Sequence, residues 1–356
     1  MDYKTNFRFD QEIEFRIIPF TLRFKKPAKT SRDTLTEREI FFIKIFYKNN
    51  PEVYGLGECS PIYGLSPEAP SIIQTTLEAE LANLKSSKSI DFGSISVSSV
   101  RFCLEMAILD LINGGQRRLS KGSFNQPIPI NGLVWMNSVE VMKKDGLDKI
   151  FEGFSTVKFK IGAEDFNDEL EMLRTVRENF DSDRIIIRLD ANGAFNANNA
   201  LEKILKLHKF NIHSIEQPVA AGNWKLMSEL VDNSPIPIAL DEELIGISSY
   251  EKKRELLEAI HPSYIVLKPM LHGGIGGCLE WISAAKETGV KFWITSMLES
   301  SVGLNIIAQW VAEMNVELPQ GLGTGGLYEN NLPAAWETKS GYLYFKGQEA
   351  LDQIQL

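Results

Sequence analysis

Four ionisable residues recur through the second half of this sequence, each closing a short apolar run: Asp190 in IIIRLDANG, Glu216 in IHSIEQP, Asp241 in PIALDEE and Lys268 in YIVLKPM. They are 26, 25 and 27 residues apart, the length of one strand, one helix and their connections. Three carboxylates brought together without a counter-charge repel one another strongly. A divalent cation removes that conflict. An all-oxygen donor set, with neither histidine nor cysteine, selects a hard ion, Mg²⁺ or its alternative Mn²⁺, over zinc. A single strand-end acid would read as the cap of the following helix. Three at one spacing, with a lysine next in the series, read as a metal site of Asp190, Glu216 and Asp241.

One strand earlier, TVKFK ends in Lys158 and Lys160. Alternation along a strand turns both lysines to one side and Val157 and Phe159 to the other. Like charge and burial would depress the pKa values of two such lysines, and a neutral amine near pH 7 is a general base. Lys160 and Lys268 belong to strands four apart in order, hence to opposite walls of a closed eight-stranded barrel. A substrate held on the metal between them would show one face to each lysine. Such a site can remove a proton α to a carboxylate, provided the developing enediolate is stabilised.

The elements that must position these groups follow from period. Apolar runs at Ile128–Val134, Thr156–Lys160, Arg184–Asp190, Ile212–Glu216, Ile236–Asp241, Ser263–Lys268 and Val290–Ser296 alternate with helical segments. In two of these, Phe166, Leu170, Leu173 and Phe180, and then Leu201, Ile204, Leu205 and His208, fall on one face. That beat requires a parallel sheet with helices outside. With an eighth strand just before Gly321 it predicts an α/β fold of (β/α)8 barrel type, whose catalytic groups gather at the C-terminal mouth. Residues 1–125 read differently. Glu14–Lys25, Arg38–Lys48 and the run at Val53 predict an antiparallel meander, and two helices follow, one capped by Ser66 before Pro67 and one from Ser99 to Gly114. The expected organisation is an α+β cap over 1–125, a barrel over 126–326, and a segment over 327–356 that returns to the cap.

Composition narrows the partners. Lys and Arg number 38 against 47 Asp and Glu, a formal net charge of −9, so no positive field draws the chain to nucleic acid or to an anionic membrane. Three scattered cysteines without a CxxC pair fit a reducing compartment. The charged start and the absence of any long apolar run predict a cytoplasmic protein with a small-molecule carboxylate substrate.

In order and spacing, KxK, LDANG, IEQP, LDE and VLKP resemble the enolase superfamily, and within it the muconate-lactonizing subgroup, which has lysines on both walls. The resemblance spans nearly the whole chain. It implies a modified barrel under an N-terminal α+β capping domain, Mg²⁺ on Asp190, Glu216 and Asp241, and Lys160 and Lys268 as catalytic lysines beside Lys158. Members of the subgroup racemise, epimerise, cycloisomerise or dehydrate. GLGECSP at 55–61, TSMLESSVG at 295–303 and GLGTGG at 321–326 resemble the dehydrating branch, which acts on a cyclohexadiene carboxylate. The Asp-x-Asp that the subgroup's dipeptide epimerases carry at the eighth strand is missing there. Racemisation or epimerisation of N-acylated amino acids stays open as the alternative, since opposed lysines serve both. Substrate contacts are expected from Asn192, Ser296, Met297, Gly321, Gly323 and Thr324, with Glu242 supporting the metal ligands. Glycine-rich loops after the last strands of barrels commonly hold phosphate; here the implied ligand of the loop is a second carboxylate. A lid of Phe20–Leu35 with Gly57–Tyr63 is expected over the mouth.

Overall fold

A computed structural model describes residues 3–29 and 34–356. Its N-terminal part is an antiparallel sheet of three strands, Ile13–Lys29, Thr34–Tyr47 and Asn50–Cys59, in that order. The helices Pro70–Ser87 and Ser98–Ile112 accompany it. The second helix is buried along nearly its whole length and lies on the last strand through the glycines of the GLGEC run. A Cβ on Gly55 would stand 1.8 Å from Ala107 O, and one on Gly57 2.2 Å from Cys103 O. These glycines let a helix backbone touch a strand backbone.

The first helix begins at Pro70, with Ala69 as its extended N-cap, and not at Pro67 as expected. A residue before proline is pushed out of helical geometry, so Pro70 forbids the helix from starting earlier.

The chain then builds a parallel sheet of seven strands in sequence order: Gly132–Val134, Thr156–Lys160, Ile186–Asp190, Ile212–Glu216, Ile238–Leu240, Tyr264–Leu267 and Lys291–Ile294. Helices follow each strand, and Asp165, Asn223, Ser249 and Ser300 cap four of them through side-chain oxygens. The apolar side chains of these strands are mostly buried, Val157, Phe159, Ile187, Leu189, Ile215 and Ile265 among them, as strands covered on both faces require.

The eighth strand is smaller than expected. It shrinks to Gln320, bridged to Ile130, and Gly321, bridged to Thr295. These two residues close the curl: Gln320 N donates to Pro129 O at 2.8 Å and Gly321 N to Ile294 O at 2.8 Å. A Cβ on Gly321 would fall 2.0 Å from Thr295 Oγ1, so the seam depends on glycine there.

The apolar run Ile128–Val134, expected as one strand, is divided. Ile128–Pro129 pairs with the C-terminal hairpin Trp336–Lys339/Tyr342–Phe345, and only Gly132–Val134 enters the barrel. Pro129 lacks the N–H a central strand needs, which suits the break. Beyond the hairpin, Ile354 O accepts from Arg117 Nε at 2.8 Å and Leu356 O from Lys44 Nζ at 2.6 Å, both lysine and arginine belonging to the N-terminal part.

The glycine contacts yield a stability test. Gly57→Ala must displace the Ser98–Ile112 helix from its strand and should cost about 1–3 kcal/mol, the usual range for overpacking. Urea unfolding should show a lower midpoint; an unchanged midpoint would mean that the contact relaxes freely.

Candidate active site

The register of the sheet brings the strand-end residues into line. Lys160 pairs with Asp190, and Asp190 with Glu216. Asp241 and Lys268 each lie one residue beyond their strands. Asp190, Glu216 and Asp241 are buried inside the mouth, and three ammonium groups meet them. Lys158 Nζ is 2.9 Å from Asp190 Oδ2 and 2.9 Å from Glu216 Oε2. Lys160 Nζ is 3.1 Å from Asp190 Oδ2 and donates to Asn192 Oδ1 at 2.7 Å. Lys268 Nζ pairs with Asp241 Oδ2. The strands of Lys160 and Lys268 are four apart in the sheet, on opposite walls.

Two residues in left-handed backbone fix the strand ends that carry the acids. Asn192 (φ 44°) donates through Nδ2 to Glu242 Oε1 at 3.0 Å. Gln217 (φ 40°) accepts from the N–H groups of Asp241 and Glu243, both at 3.2 Å. Such conformations are sparsely populated and persist where surrounding bonds over-determine them.

The electrostatics correct one expectation. Burial does work against the charge on Lys158, but Asp190 and Glu216 outweigh it and hold its pKa above the usual lysine range. Lys268 is likewise raised, by Asp241 against burial. Carboxylates, and not other lysines, are the nearest charges, so Lys158 is a cation here and not the neutral amine the KxK spacing suggested. Burial also opposes ionisation of Asp190, yet Lys158 and Lys160 hold it well below the ordinary range. Glu216 is pushed up by burial and by the charge of Asp190.

Among the described residues no three His, Cys, Asp or Glu side chains are drawn close enough to hold an ion, since each carboxylate turns to an ammonium. The donor set nevertheless fits a hard divalent cation. Three carboxylates converge from adjacent strands, burial and the charge of Asp190 disfavour ionisation of Glu216, and Asp241 Oδ1 is buried without a hydrogen-bond partner. Asp241 does not serve the helix-capping role weighed against this reading: it precedes a short 3-10 helix, and its side chain makes no capping hydrogen bond.

A single cavity opens above these groups. It is lined by Lys158, Lys160, Asp190, Asn192, Glu242 and Lys268 on one side. On the other lie Ser296, Met297, Gly321, Gly323 and Thr324, all expected from sequence, together with Asn131, Leu133, Trp135, Thr295 and Leu298. Ile62 and Leu65 enter from the N-terminal part. Sequence reasoning missed Asn131, which immediately precedes the Gly132–Val134 strand, and Trp135, which lies one residue beyond it, as Asp241 and Lys268 lie beyond theirs. The Ser296 hydroxyl is fully engaged: it donates to Glu299 Oε2 at 2.7 Å and accepts from Leu298 N at 3.0 Å and Thr324 Oγ1 at 2.8 Å.

His272, placed near the mouth by sequence, accepts from Lys268 N through Nδ1 at 3.0 Å and so braces the lysine's backbone. Of the expected lid, residues 30–33 lie outside the described residues. Phe24 packs on Tyr328 with ring centroids 4.6 Å apart and planes tilted by 53°, and Ile62 reaches the cavity.

A cap, a parallel barrel, and Lys, Asp, Glu, Asp and Lys on successive strand ends define the enolase superfamily. The family model described as "Enolase C-terminal domain-like" matches residues 144–346, and the chain belongs to that family. Members are generally dependent on a divalent metal. The chain is 40% identical over 357 residues to the o-succinylbenzoate synthase of Desulfotalea psychrophila, covering 90% of this chain and 96% of the relative. The crystal structure of MenC from Desulfotalea psychrophila LSv54 superimposes with a TM-score of 0.78 at 36% identity, over 94% of this chain and 99% of that one. More distant is the L-Ala-D/L-Glu epimerase of Bacillus subtilis, 25% identical over 81% of each chain. No helix among the described residues is long and apolar enough to cross a membrane.

Glu299 gives the site a pH-dependent signature. Burial raises its carboxyl from 4.5 to about 7, and Glu58 adds to this while Ser296 and Arg38 oppose it. The fold therefore favours the protonated form; that stability is fully present below pH 4.5 and is lost as pH rises through 7. Glu299→Gln should remove the decline, so the variant should gain on the wild type by up to about 3 kcal/mol between pH 5 and pH 8 in urea unfolding. A constant difference across that range would place the pKa elsewhere.

Proposed function

We propose that this chain is a metal-dependent dehydratase that converts 2-succinyl-6-hydroxy-2,4-cyclohexadiene-1-carboxylate to o-succinylbenzoate, a step of menaquinone biosynthesis. One observation carries the reading: Lys160 and Lys268 stand on opposite walls of a cavity whose floor holds Asp190, with the buried carboxylates of Glu216 and Asp241 on the next strand ends, in a chain 40% identical to an o-succinylbenzoate synthase.

Asp190, Glu216 and Asp241 would hold Mg²⁺, with Mn²⁺ as the alternative. When bound, the ion would supply Lewis acidity to the substrate carboxylate and so stabilise an enediolate. Lys158, bonded to both Asp190 and Glu216, orients these two ligands. Lys160 removes the proton on the carbon bearing the carboxylate. The same amine then returns that proton to the hydroxyl leaving from the neighbouring carbon, on the same face, and water departs as the ring becomes aromatic. Lys268, kept cationic by Asp241, stabilises the intermediate from the opposite wall. Asn192 links Lys160 to Glu242 and keeps the amine aimed. Enclosure by Ile62, Leu65 and Leu298 limits access of solvent protons. The substrate is a small carboxylate, and Met297, Gly321, Gly323, Thr324 and the backbone at Ser296 form the wall against its second carboxylate.

Opposed lysines also suit racemisation, and the Bacillus subtilis epimerase is a relative. The absence of an Asp-x-Asp after the eighth strand, where the sequence reads GLGTGG, disfavours a substrate with a free amino group.

Three measurements test the assignment. Purified protein with Mg²⁺ should form o-succinylbenzoate faster than it racemises any N-succinyl amino acid; the reverse order would install the racemase. Glu216→Gln should abolish turnover and Mg²⁺ binding by calorimetry while the chain stays folded, and full activity in excess chelator would exclude the metal. Lys160→Ala should lose exchange of the α-proton with solvent along with turnover, whereas retained exchange would reassign the base to Lys268.

A further inference from the structure

The cavity has two unlike halves. From the strand of Lys160 round to that of Lys268, its lining is ionisable or hydrogen-bonded to ionisable groups. The remaining half, from the seventh strand through the seam to the first, is lined by Met297, Leu298, Thr324, Leu133, Trp135 and their neighbours, with no charged side chain among the described residues. A substrate whose reacting carbon lies between the lysines must place its remaining atoms against that uncharged half.

One buried cation holds this half in shape. Arg38, on the Thr34–Tyr47 strand, is 5% exposed. Its Nη1 donates to Met297 O at 3.0 Å, to Leu298 O, and to Tyr328 Oη at 3.2 Å. Its Nη2 donates to Ser60 O at 2.5 Å and Pro61 O at 3.2 Å. The guanidinium thus faces four backbone carbonyls in two segments, and each segment carries cavity residues: Met297 and Leu298 in one, Ile62 directly after Pro61 in the other. A planar fork of fixed donors sets the spacing between two chain segments in a way a flexible ammonium does not.

The conformation it secures is a costly one. Leu298 has φ 62°, a region that bulky residues avoid. Tyr328 Oη donates to the same Leu298 carbonyl at 2.5 Å, while Met297 N is taken by Glu299 Oε2 at 2.8 Å. The turn is gripped from the barrel side by Glu299 and from the cap side by Arg38.

We infer that Arg38 is a positioning residue for substrate selection: by fixing the Met297–Leu298 turn against the Ser60–Ile62 loop, it shapes the receiving half for the arm of the substrate remote from the reacting carbon. The inference rests on the dehydratase reading for the identity of that arm, a succinyl group. Arg38 touches neither the carboxylates of the floor nor the lysines, so its removal acts on the arm and spares the proton transfer.

The test compares wild type, Arg38→Met, Arg38→Lys and Tyr328→Phe as Mg²⁺-loaded enzymes. It measures KM, kcat, and the ratio of dissociation constants for benzoate and o-succinylbenzoate, two ligands that differ only in the arm. Arg38→Met should raise KM about tenfold or more with kcat within about threefold, and should bring the two dissociation constants together by weakening o-succinylbenzoate alone. Arg38→Lys should recover part of the preference. Tyr328→Phe, which loses one hydroxyl donor, should shift KM the same way by about threefold, and stands in if Arg38→Met does not fold. Loss of kcat with an unchanged ratio, or no change in either, would overturn the inference. A wild type that forms no o-succinylbenzoate yet shows an arm preference erased by Arg38→Met would overturn the dehydratase reading and leave the role of Arg38 standing.

Discussion

Three carboxylates and three ammonium groups share the inside of one barrel, and neither set could be there without the other. Isolated charges of this kind cost several kcal/mol each to bury, and their mutual attraction offsets that cost only when geometry pairs them well. Lys158 meets Asp190 and Glu216, Lys160 meets Asp190, and Lys268 meets Asp241. The pairing is possible because a parallel register puts Lys160, Asp190 and Glu216 side by side. Everything that fixes the register therefore serves the site. The helices outside hold the strands, Gln217 ties the end of one strand to the next, and the Gln320–Gly321 seam closes the ring.

A site balanced in this way is also one that a cation can enter. Under the proposed reading, a divalent ion would draw on the same carboxylate oxygens of Asp190, Glu216 and Asp241 that now meet the lysine ammoniums. The balance also explains why the simple expectation of depressed lysine pKa values fails for Lys158. Proximity of two lysines in the sequence says how near like charges are, but the sheet brings opposite charges nearer still.

The sequence made the reacting half legible and left the receiving half obscure, for a physical reason. Acids and lysines at strand ends stand out against apolar runs, and their spacing follows from the length of a strand-helix unit, so Asp190, Glu216, Asp241, Lys160 and Lys268 could be placed without coordinates. The eighth strand could not be sized, because its two residues are defined by bridges to Ile130 and Thr295 and by no period of their own. Asn131 was hidden inside a run that looked like one uniform strand, although Pro129 breaks it, and Trp135 followed its end. The start of the first helix depended on which of two prolines governs its neighbour's backbone. Arg38 was invisible for a different reason: its partners are backbone carbonyls more than twenty to some 260 residues away, and nothing in a local pattern announces a contact of that kind.

The division into halves also bears on how one barrel supports several reactions. The reacting half needs only a stabilised carbon acid and lysines on two faces, requirements that dehydration and racemisation share. What separates them lies in the other half, where shape and hydrogen bonding decide which arm is received. Aromatisation makes the dehydration strongly downhill once the proton has left, so a single lysine can act first as base and then as acid, and no dedicated histidine acid is needed. The cavity agrees with that economy, since no histidine lines it and His272 is spent on the backbone of Lys268. With the chemistry so lightly assisted, selectivity falls to the wall that the cap and the Met297–Leu298 turn make together. A buried guanidinium whose described bonds all go to neutral acceptors is suited to that work, because it fixes a distance without placing a charged group in the cavity lining.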